Sequence, residues 1–433
     1  MSHNISYIDA TQYEAEVLDS KQPVVVDFYS TECPPCEALA QKYEALATLY
    51  GNDIKFVKIF RQENRALADK LNVRSSPTVL FYRDGKLVGE QLTGGIKRAA
   101  IEKNLAELIP AERFAALRAQ TPLTEREVDV LILGAGPAGL TAGIYTAQAK
   151  LRTVIVDRAL AGGNLAITHR VSNYPGFPEP QPGYQLAHQM AEHARKAGVE
   201  LREAVDLTAI DLSRLRVTLD GVESISAKKI IVATGSSPRP LGVRGELEYK
   251  GKGVSYCATC DAKYFEGKHA VVIGGGNSAI GESLLIAKFA SKVTIVHQFD
   301  VLQATRELVE IARLQPNIEI VLSHEPREFV AHNGTVDAVL LENMKTHERH
   351  TLACDGVFVF AGMQPNLDGV AEAFTRDEYG YIAADDEMRT NRPHVFAAGD
   401  VRNKKYRQMT TAVADGTIAA MAISRDLSPK LAA

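Results

Sequence analysis

The chain of 433 residues, 45% hydrophobic and 24% charged, exceeds what one core serves and lies far from the composition of disordered proteins. Its 49 basic and 53 acidic residues leave a net charge of −4, which gives no sign of the basic surface that nucleic acid or an anionic membrane requires. The start lacks a basic region followed by an apolar core, and no apolar run reaches membrane-spanning length, so a cytoplasmic protein without membrane contact is expected.

The first unit opens with a helical-looking segment and then the apolar strand PVVVDFYS. There follow Cys33-Pro34-Pro35-Cys36, a long helix pattern EALAQKYEALATLYG, the strand IKFVKIF and a second helix. SSPTVLFYRDGKLVGEQLTG reads as a hairpin turning at Asp84-Gly85, and a helix pattern through KRAAIEKNLAELI ends the unit. The CPPC stands between strand and helix, where the helix N-terminus favours thiolate, so Cys33 is expected as the nucleophile and Cys36 as the resolving thiol. Glu32 and two missing N–H donors oppose this, which predicts a less depressed thiol pKa and a reducing carrier. Ser76-Pro77 precedes a strand; a cis bond would present backbone beside the disulfide, and a trans proline at a strand start is the plainer reading. Asp27 and Lys58 are ionisable groups in apolar strands, suited to proton transfer to Cys36 or to a simple ion pair.

Residues 110–126, with Thr121-Pro122, read as a linker with room for one short helix. It would span roughly 20–25 Å as coil and about 55 Å stretched, enough for a domain to swing between two positions. From Val128 two similar units follow, VDVLILGAGPAGLTAGIYTA and KHAVVIGGGNSAIGESLLIAK, each a strand, a glycine-rich turn and a helix. In the first, Gly134 permits the tight turn, Gly136 lets backbone approach a pyrophosphate, and Gly139 allows close helix packing. The next strand ends in Asp157, where a ribose-binding carboxylate belongs. In the second, Gly274, Gly276 and Ala279 hold the same frame, and His297 stands at the offset of Asp157. Residues 298–305, QFDVLQAT, contain no cation for a 2′-phosphate, Asp300 would repel one, and Arg306 lies beyond, so NADH is expected over NADPH.

Between the two turns lies Cys257-Ala258-Thr259-Cys260-Asp261. With Cys33 and Cys36 these cysteines could complete a zinc site, but each pair sits in a redox setting, so no metal is expected. Asp261 can move a proton as a thiolate forms. Cys354, in LACDGVFVF, reads as a small buried apolar residue.

VVVDF before CPPC and SSPT before the hairpin resemble the thioredoxin family over nearly all of residues 1–108; the departures are Glu32, CPPC and the absence of tryptophan. From Val128 onward GAGPAG, GGNL, NYPGF, ATG, SYCATCD, GGGNSA, FVFAGMQPN, AAGDV and YRQMTTAVADG closely resemble low-molecular-weight thioredoxin reductases. The resemblance implies an α/β chain: an N-terminal thioredoxin fold, then two Rossmann-like three-layer domains binding FAD and NAD(P). The expected boundaries are thioredoxin 1–109, linker 110–126, FAD domain 127–243 and 367–433, and NAD(P) domain with the redox CxxC 244–366. It also implies a homodimer. Carried over residue by residue, Gly134, Gly136, Ala138, Asp157, Asn164, Asn173, Ala233, Gly235, Gly399 and Asp400 surround FAD, with Arg407 and Gln408 near the flavin. Gly274, Gly276, Asn277, Ser278, Ala279 and His297 meet the nicotinamide cofactor. Asn164 replaces the usual glutamine, and Gln298, Phe299 and Gln303 replace the arginines of NADPH-using members.

The implied reaction carries electrons from NADH through FAD to Cys257–Cys260, then to Cys33–Cys36 and to client protein disulfides. Cys260 with Asp261 faces the flavin in the resembling family, whose nicotinamide domain must rotate. The attacking member of the pair stays open. Rival readings are a peroxiredoxin-linked reductase, a reductase fed by ferredoxin or a deazaflavin, and a redox sensor without turnover.

Overall fold

In a computed structural model the described residues are 5–168 and 171–428. The first unit is a mixed sheet ordered Ile5–Ile8, Lys55–Phe60, Val24–Tyr29, Thr78–Arg83, Lys86–Leu87, with Leu92–Thr93 also paired to Thr78–Arg83. Helices Pro34–Tyr50 and Arg98–Leu108 pack on one face through Tyr43, Leu46, Ile101 and Leu105. Tyr43 is wholly buried there, and its hydroxyl meets the carbonyl oxygens of Val25 and Val57 at 2.9 and 2.8 Å. The opening segment is a correction: Ile5–Ile8 is a strand paired parallel to Lys55–Phe60, and helix begins only at the single turn Glu14–Leu18. Tertiary pairing overrides the weak helical preference of so short a segment. The hairpin turns where expected, with φ of +52° and +71° at Asp84 and Gly85.

The segment read as a linker is largely ordered structure. Ala111–Ala119 is a helix, and strand begins at Thr124, which leaves four residues, 120–123, between them. Leu117 joins the thioredoxin core, Phe114 stacks on Tyr50 at 5.5 Å, and Arg113 meets the Asp53 carboxylate twice at 2.9 Å. The helix therefore belongs to the first unit, and the free reach falls to about 14 Å.

The first unit also touches the second. Lys42, on helix Pro34–Tyr50, is 8% exposed and donates to the carbonyl oxygens of Ile96, Glu203 and Ala204 at 3.0, 3.0 and 2.8 Å. Burial lowers its pKa to about 8. Lys97 pairs with Asp206 at 2.7 Å beside it.

The second unit is built on parallel strands Thr124–Leu133, Thr153–Val156, Glu200–Arg202, Glu223–Val232 and Val395–Ala397. Antiparallel strands Leu207–Asp211 and Arg216–Leu219 extend it at one edge. Helices Pro137–Gln148 and Met409–Leu427 cross one face, brought together by small residues. A Cβ on Gly416 would stand 2.2 Å from the Ala138 carbonyl oxygen, so this crossing admits only glycine. The third unit has a parallel sheet ordered Val254–Ser255, Gly356–Val359, His269–Ile273, Lys292–His297, Ile318–Leu322. Helices Asn277–Ile286 and Arg306–Arg313 flank one side, and the antiparallel sheet His324–His332, Thr335–Asn343, Arg349–Ala353 packs on the other. Two crossing strands, Ser236–Pro238 and Met363–Pro365, join the second and third units.

Candidate active site

Cys33 and Cys36 form a disulfide at the head of helix Pro34–Tyr50, and the Cys33 sulfur accepts the Cys36 N–H at 3.3 Å. Ser76-Pro77 is cis, and the Ser76 carbonyl oxygen lies 3.4 Å from the Cys33 sulfur. This is the rim that the sequence reading placed beside the disulfide.

Asp27 is 2% exposed, with one carboxylate oxygen 3.8 Å from Lys58 and the other without a partner. Burial outweighs the lysine and raises its pKa from 3.8 to about 6. The folded state therefore binds the proton more tightly than the unfolded one. That contribution to stability is full below about pH 4 and is lost as pH rises through 6, on the order of 3 kcal/mol for a shift of this size. Asp27→Asn is expected to flatten the fall in thermal midpoint of the full chain between pH 4 and 6.5. An unchanged slope would show that Asp27 titrates normally.

Cys257 and Cys260 form the second disulfide, and the Cys257 sulfur accepts the Cys260 N–H at 3.2 Å. Ser255 fixes the acid: its hydroxyl donates to Asp261 at 2.6 Å and accepts the Cys257 N–H at 3.1 Å. Asp261 thus stands one hydroxyl away from the Cys257 backbone. Cys260 is exposed and Cys257 half-buried, so this pair opens to solvent. This arrangement holds one of the two domain positions that the resemblance implies, the one in which Cys260 is turned away from the groups expected around the flavin. Instead Arg407 and Gln408, expected near the flavin, line one cavity of about 660 Å³ with Gly274–Ala279.

Gly134 has φ +111°, and a Cβ there would lie 2.3 Å from the Ala233 carbonyl oxygen. A Cβ on Gly139 would lie 1.9 Å from the Gly134 carbonyl oxygen, whereas one on Gly136 would meet nothing within 4 Å. The turn is packed shut on the sheet side and open where a pyrophosphate would approach. Asp157 accepts the N–H groups of Ala135 at 2.7 Å and Ala159 at 2.8 Å. Burial raises its carboxyl against those two bonds.

Around the turn, Asn164 donates to the Ser236 carbonyl oxygen at 2.8 Å and Asn173 to the Gln408 side chain at 3.2 Å. Gly235 has φ +69° and accepts from Asn366 N–H at 3.0 Å. A Cβ on Gly399 would meet Ala138 at 2.8 Å. The Arg407 guanidinium stacks 3.6 Å from the Tyr381 ring centroid, and its buried Nε has no partner. Open backbone, an anchored carboxylate and this unpaired donor together fit FAD.

The sequence reading missed Asp415. Its carboxylate, 5% exposed, receives the Gly399 N–H at 3.0 Å, Arg402 at 3.1 Å and Lys404 at 3.1 Å; Lys404 also reaches Asp400 at 3.2 Å. The signal was a lone acid in the small-residue helix pattern AVADGTIAA.

At the second turn His297 is 5% exposed, lies against Gly275 and has an unpaired Nε2. Burial lowers its pKa, so the ring is neutral. Asn277 accepts the Thr305 N–H at 2.8 Å and fixes the 298–305 loop to the turn, whose Ser278 and Ala279 line the cavity. Cys354 is free, buried and pushed up to about 12 by that burial. Among the described residues no helix is long and apolar enough to cross a membrane.

Residues 128–416 match the model of the pyridine nucleotide-disulphide oxidoreductase family, and residues 4–107 that of the thioredoxin family. The chain is 41% identical over 299 residues to the thioredoxin reductase of Bacillus subtilis (strain 168), 69% of this chain and 94% of that protein. It is 40% identical over 307 residues to the 34.2 kDa protein in the rubredoxin operon of Clostridium pasteurianum, 71% of this chain and 99% of that one. Among solved structures it resembles Lactococcus lactis thioredoxin reductase in the FR conformation, with a TM-score of 0.66 and 38% identity over 69% of this chain and 98% of that one. Two disulfides, two dinucleotide turns and these similarities agree: the chain belongs to the pyridine nucleotide-disulphide oxidoreductases as a thioredoxin reductase, a flavin-dependent disulfide oxidoreductase, with a thioredoxin domain at its N-terminus.

Proposed function

We propose that the chain is a thioredoxin reductase joined to its own carrier, drawing electrons from NADH and delivering them through Cys257–Cys260 and Cys33–Cys36 to disulfides of client proteins. FAD supplies the exchange between two-electron hydride chemistry and the dithiol. The observation that carries this reading is the division of faces. The nicotinamide turn shares a cavity with Arg407 and Gln408, while Cys257–Cys260 is turned outward.

The chain's own groups account for the thiol steps. Asp261, held by Ser255, is placed to give a proton to a leaving thiolate of its pair. Thiolate attack from the reduced Cys257/Cys260 pair on Cys33–Cys36 passes through a mixed disulfide, and leaves Cys257–Cys260 oxidised and Cys33 and Cys36 reduced. Asp27, with its carboxyl raised to about 6, takes or gives the proton of the half-buried resolving thiol Cys36.

Tyr145, Ile418 and Met421, on the crossed helices Pro137–Gln148 and Met409–Leu427, are 40%, 38% and 61% exposed. Large apolar groups on neighbouring helices support a homodimer through this face. A cytoplasmic location suits both redox pairs, since they cycle only in a reducing compartment.

The test is catalytic. With FAD bound, the full chain and NADH are expected to reduce insulin disulfides over many turnovers with no added carrier. Stoichiometric flavin reduction without turnover would instead indicate a sensor, and turnover only with ferredoxin would move the electron source. Activity confined to a peroxiredoxin would narrow the client.

A further inference from the structure

The thioredoxin domain touches the FAD domain with the same rim that borders its disulfide. Ser76-Pro77 lies against Cys33, and Thr78 pairs with Thr93, so Gly94, Gly95 and Ile96 continue that rim. A Cβ built on Gly95 would stand 3.4 Å from Leu160 and 3.6 Å from the Ala204 Cβ, which is contact distance between the two domains. On one side of Gly95, Lys42 is buried against the carbonyl oxygens of Glu203 and Ala204; on the other, Lys97 pairs with Asp206.

The receiving surface is braced. Ala161 N–H donates to Glu203 at 2.7 Å, Ala204 N–H to the Ala159 carbonyl at 3.0 Å, and Val205 N–H to the Asp157 carbonyl at 3.1 Å. The contact therefore sits at the Asp157 end of the FAD domain, beside the edge strand Glu200–Arg202. Strands Thr153–Val156 and Thr124–Leu133 lie between it and Glu223–Val232, which leads to the crossing Ser236–Pro238 and the nicotinamide domain. Three strand spacings, about 14 Å, separate the dock from that exit.

We propose that Leu160, Ala204 and Asp206 form a dock for the disulfide rim of the thioredoxin domain, clamped by Lys42 and Lys97, and that the docked carrier is withheld from clients until it is released. Docking covers Gly95, on the rim that continues from Ser76-Pro77 beside Cys33, along which a client backbone would approach. Release turns the domain about residues 120–123, which keep it within reach of the dock. The role in turnover rests on the carrier function proposed above; the dock itself does not.

Two variants of the full-length holoprotein test it. Lys42→Glu places a carboxylate against two carbonyl oxygens and near Glu203 and Asp206, and releases the clamp. Gly95→Cys/Ala204→Cys, with Cβ positions 3.6 Å apart, falls within disulfide range. It is then closed by a one-carbon thioether bridge that thiols do not cleave. Two rates are read: alkylation of Cys33 by a bulky maleimide after chemical reduction, and NADH-driven reduction of insulin. Lys42→Glu is expected to raise both about threefold or more, and the bridge to lower both about tenfold or more. A cysteine pair that does not close, or a bridged protein that reacts at the unbridged rates, overturns the dock. If alkylation follows the expected pattern while no variant reduces insulin, the dock stands and the carrier function fails.

Discussion

Serine in place of Cys257, of Cys260 or of Cys33 is expected to lower steady reduction of protein disulfides by about 10³-fold or more, because each removes a sulfur through which every electron pair must pass. The three variants differ in what survives. Cys33→Ser leaves Cys257, Cys260, Ser255 and Asp261 intact, so the reductase should still reduce a separately added thioredoxin. Cys257→Ser and Cys260→Ser should lose that activity too. The outward exposure of Cys260 and the half-burial of Cys257 make both reachable by an incoming disulfide. The pair is therefore best divided by trapping. Whichever serine variant accumulates a stable mixed disulfide with the carrier retains the attacking sulfur and lacks the resolving one. Retention of insulin turnover in Cys33→Ser would mean that clients take electrons directly from the second pair, and the first domain would then be a docking module.

The turns and redox pairs were legible because their chemistry is local. GAGPAG and GGGNSA each need glycine where backbone crowds backbone, and the short contacts at Gly134 and Gly139 are the physical content of that pattern. The Asp84-Gly85 turn belongs to the same class, whereas Ser76-Pro77 left two readings open, of which the structure has the cis one. What escaped depends on contacts between distant residues. Helix Ala111–Ala119 offers only Phe114 and Leu117 as apolar anchors, too few to announce a packed helix, and its partners Tyr50 and Asp53 are some sixty residues upstream. Nothing in its helix pattern marks Lys42, because Glu203 and Ala204, which it meets, stand 161 and 162 residues downstream. The facing of Cys260 is set by how two domains are rotated about Ser236–Pro238 and Met363–Pro365, which no residue near Cys260 encodes.

NADH is expected to exceed NADPH in kcat/KM for flavin reduction by about tenfold or more, roughly 1.4 kcal/mol of discrimination. The sequence reading rested on the absence of cations in 298–305, and the structure adds what occupies the space. Gln298, Phe299 and Gln303 line a cavity of about 540 Å³ with Asp300, Ser323 and Lys345. Asp300 accepts from Ser323 at 2.5 Å and Lys345 at 2.9 Å, and the Ser323 bond, with the lysine behind it, lowers its pKa, so it is ionised. Lys345, forty residues beyond that segment, is the cation the sequence reading could not see, and it is already committed to Asp300. Arg327 nearby is likewise held, by Glu325 at 3.0 Å and Glu342 at 3.1 Å. A 2′-phosphate would thus meet paired cations and one fixed carboxylate, losing the arginine fork that rewards it elsewhere. Asp300→Ser should free Lys345 and narrow the preference severalfold, and Gln298→Arg/Asp300→Ser should raise kcat/KM for NADPH by about tenfold or more while leaving that for NADH within about threefold. Anaerobic bleaching of the flavin by the two nucleotides in parallel reads this directly. Equal rates in the unaltered protein would mean that Lys345 leaves Asp300 for the phosphate, and Lys345→Ala should then depress NADPH alone.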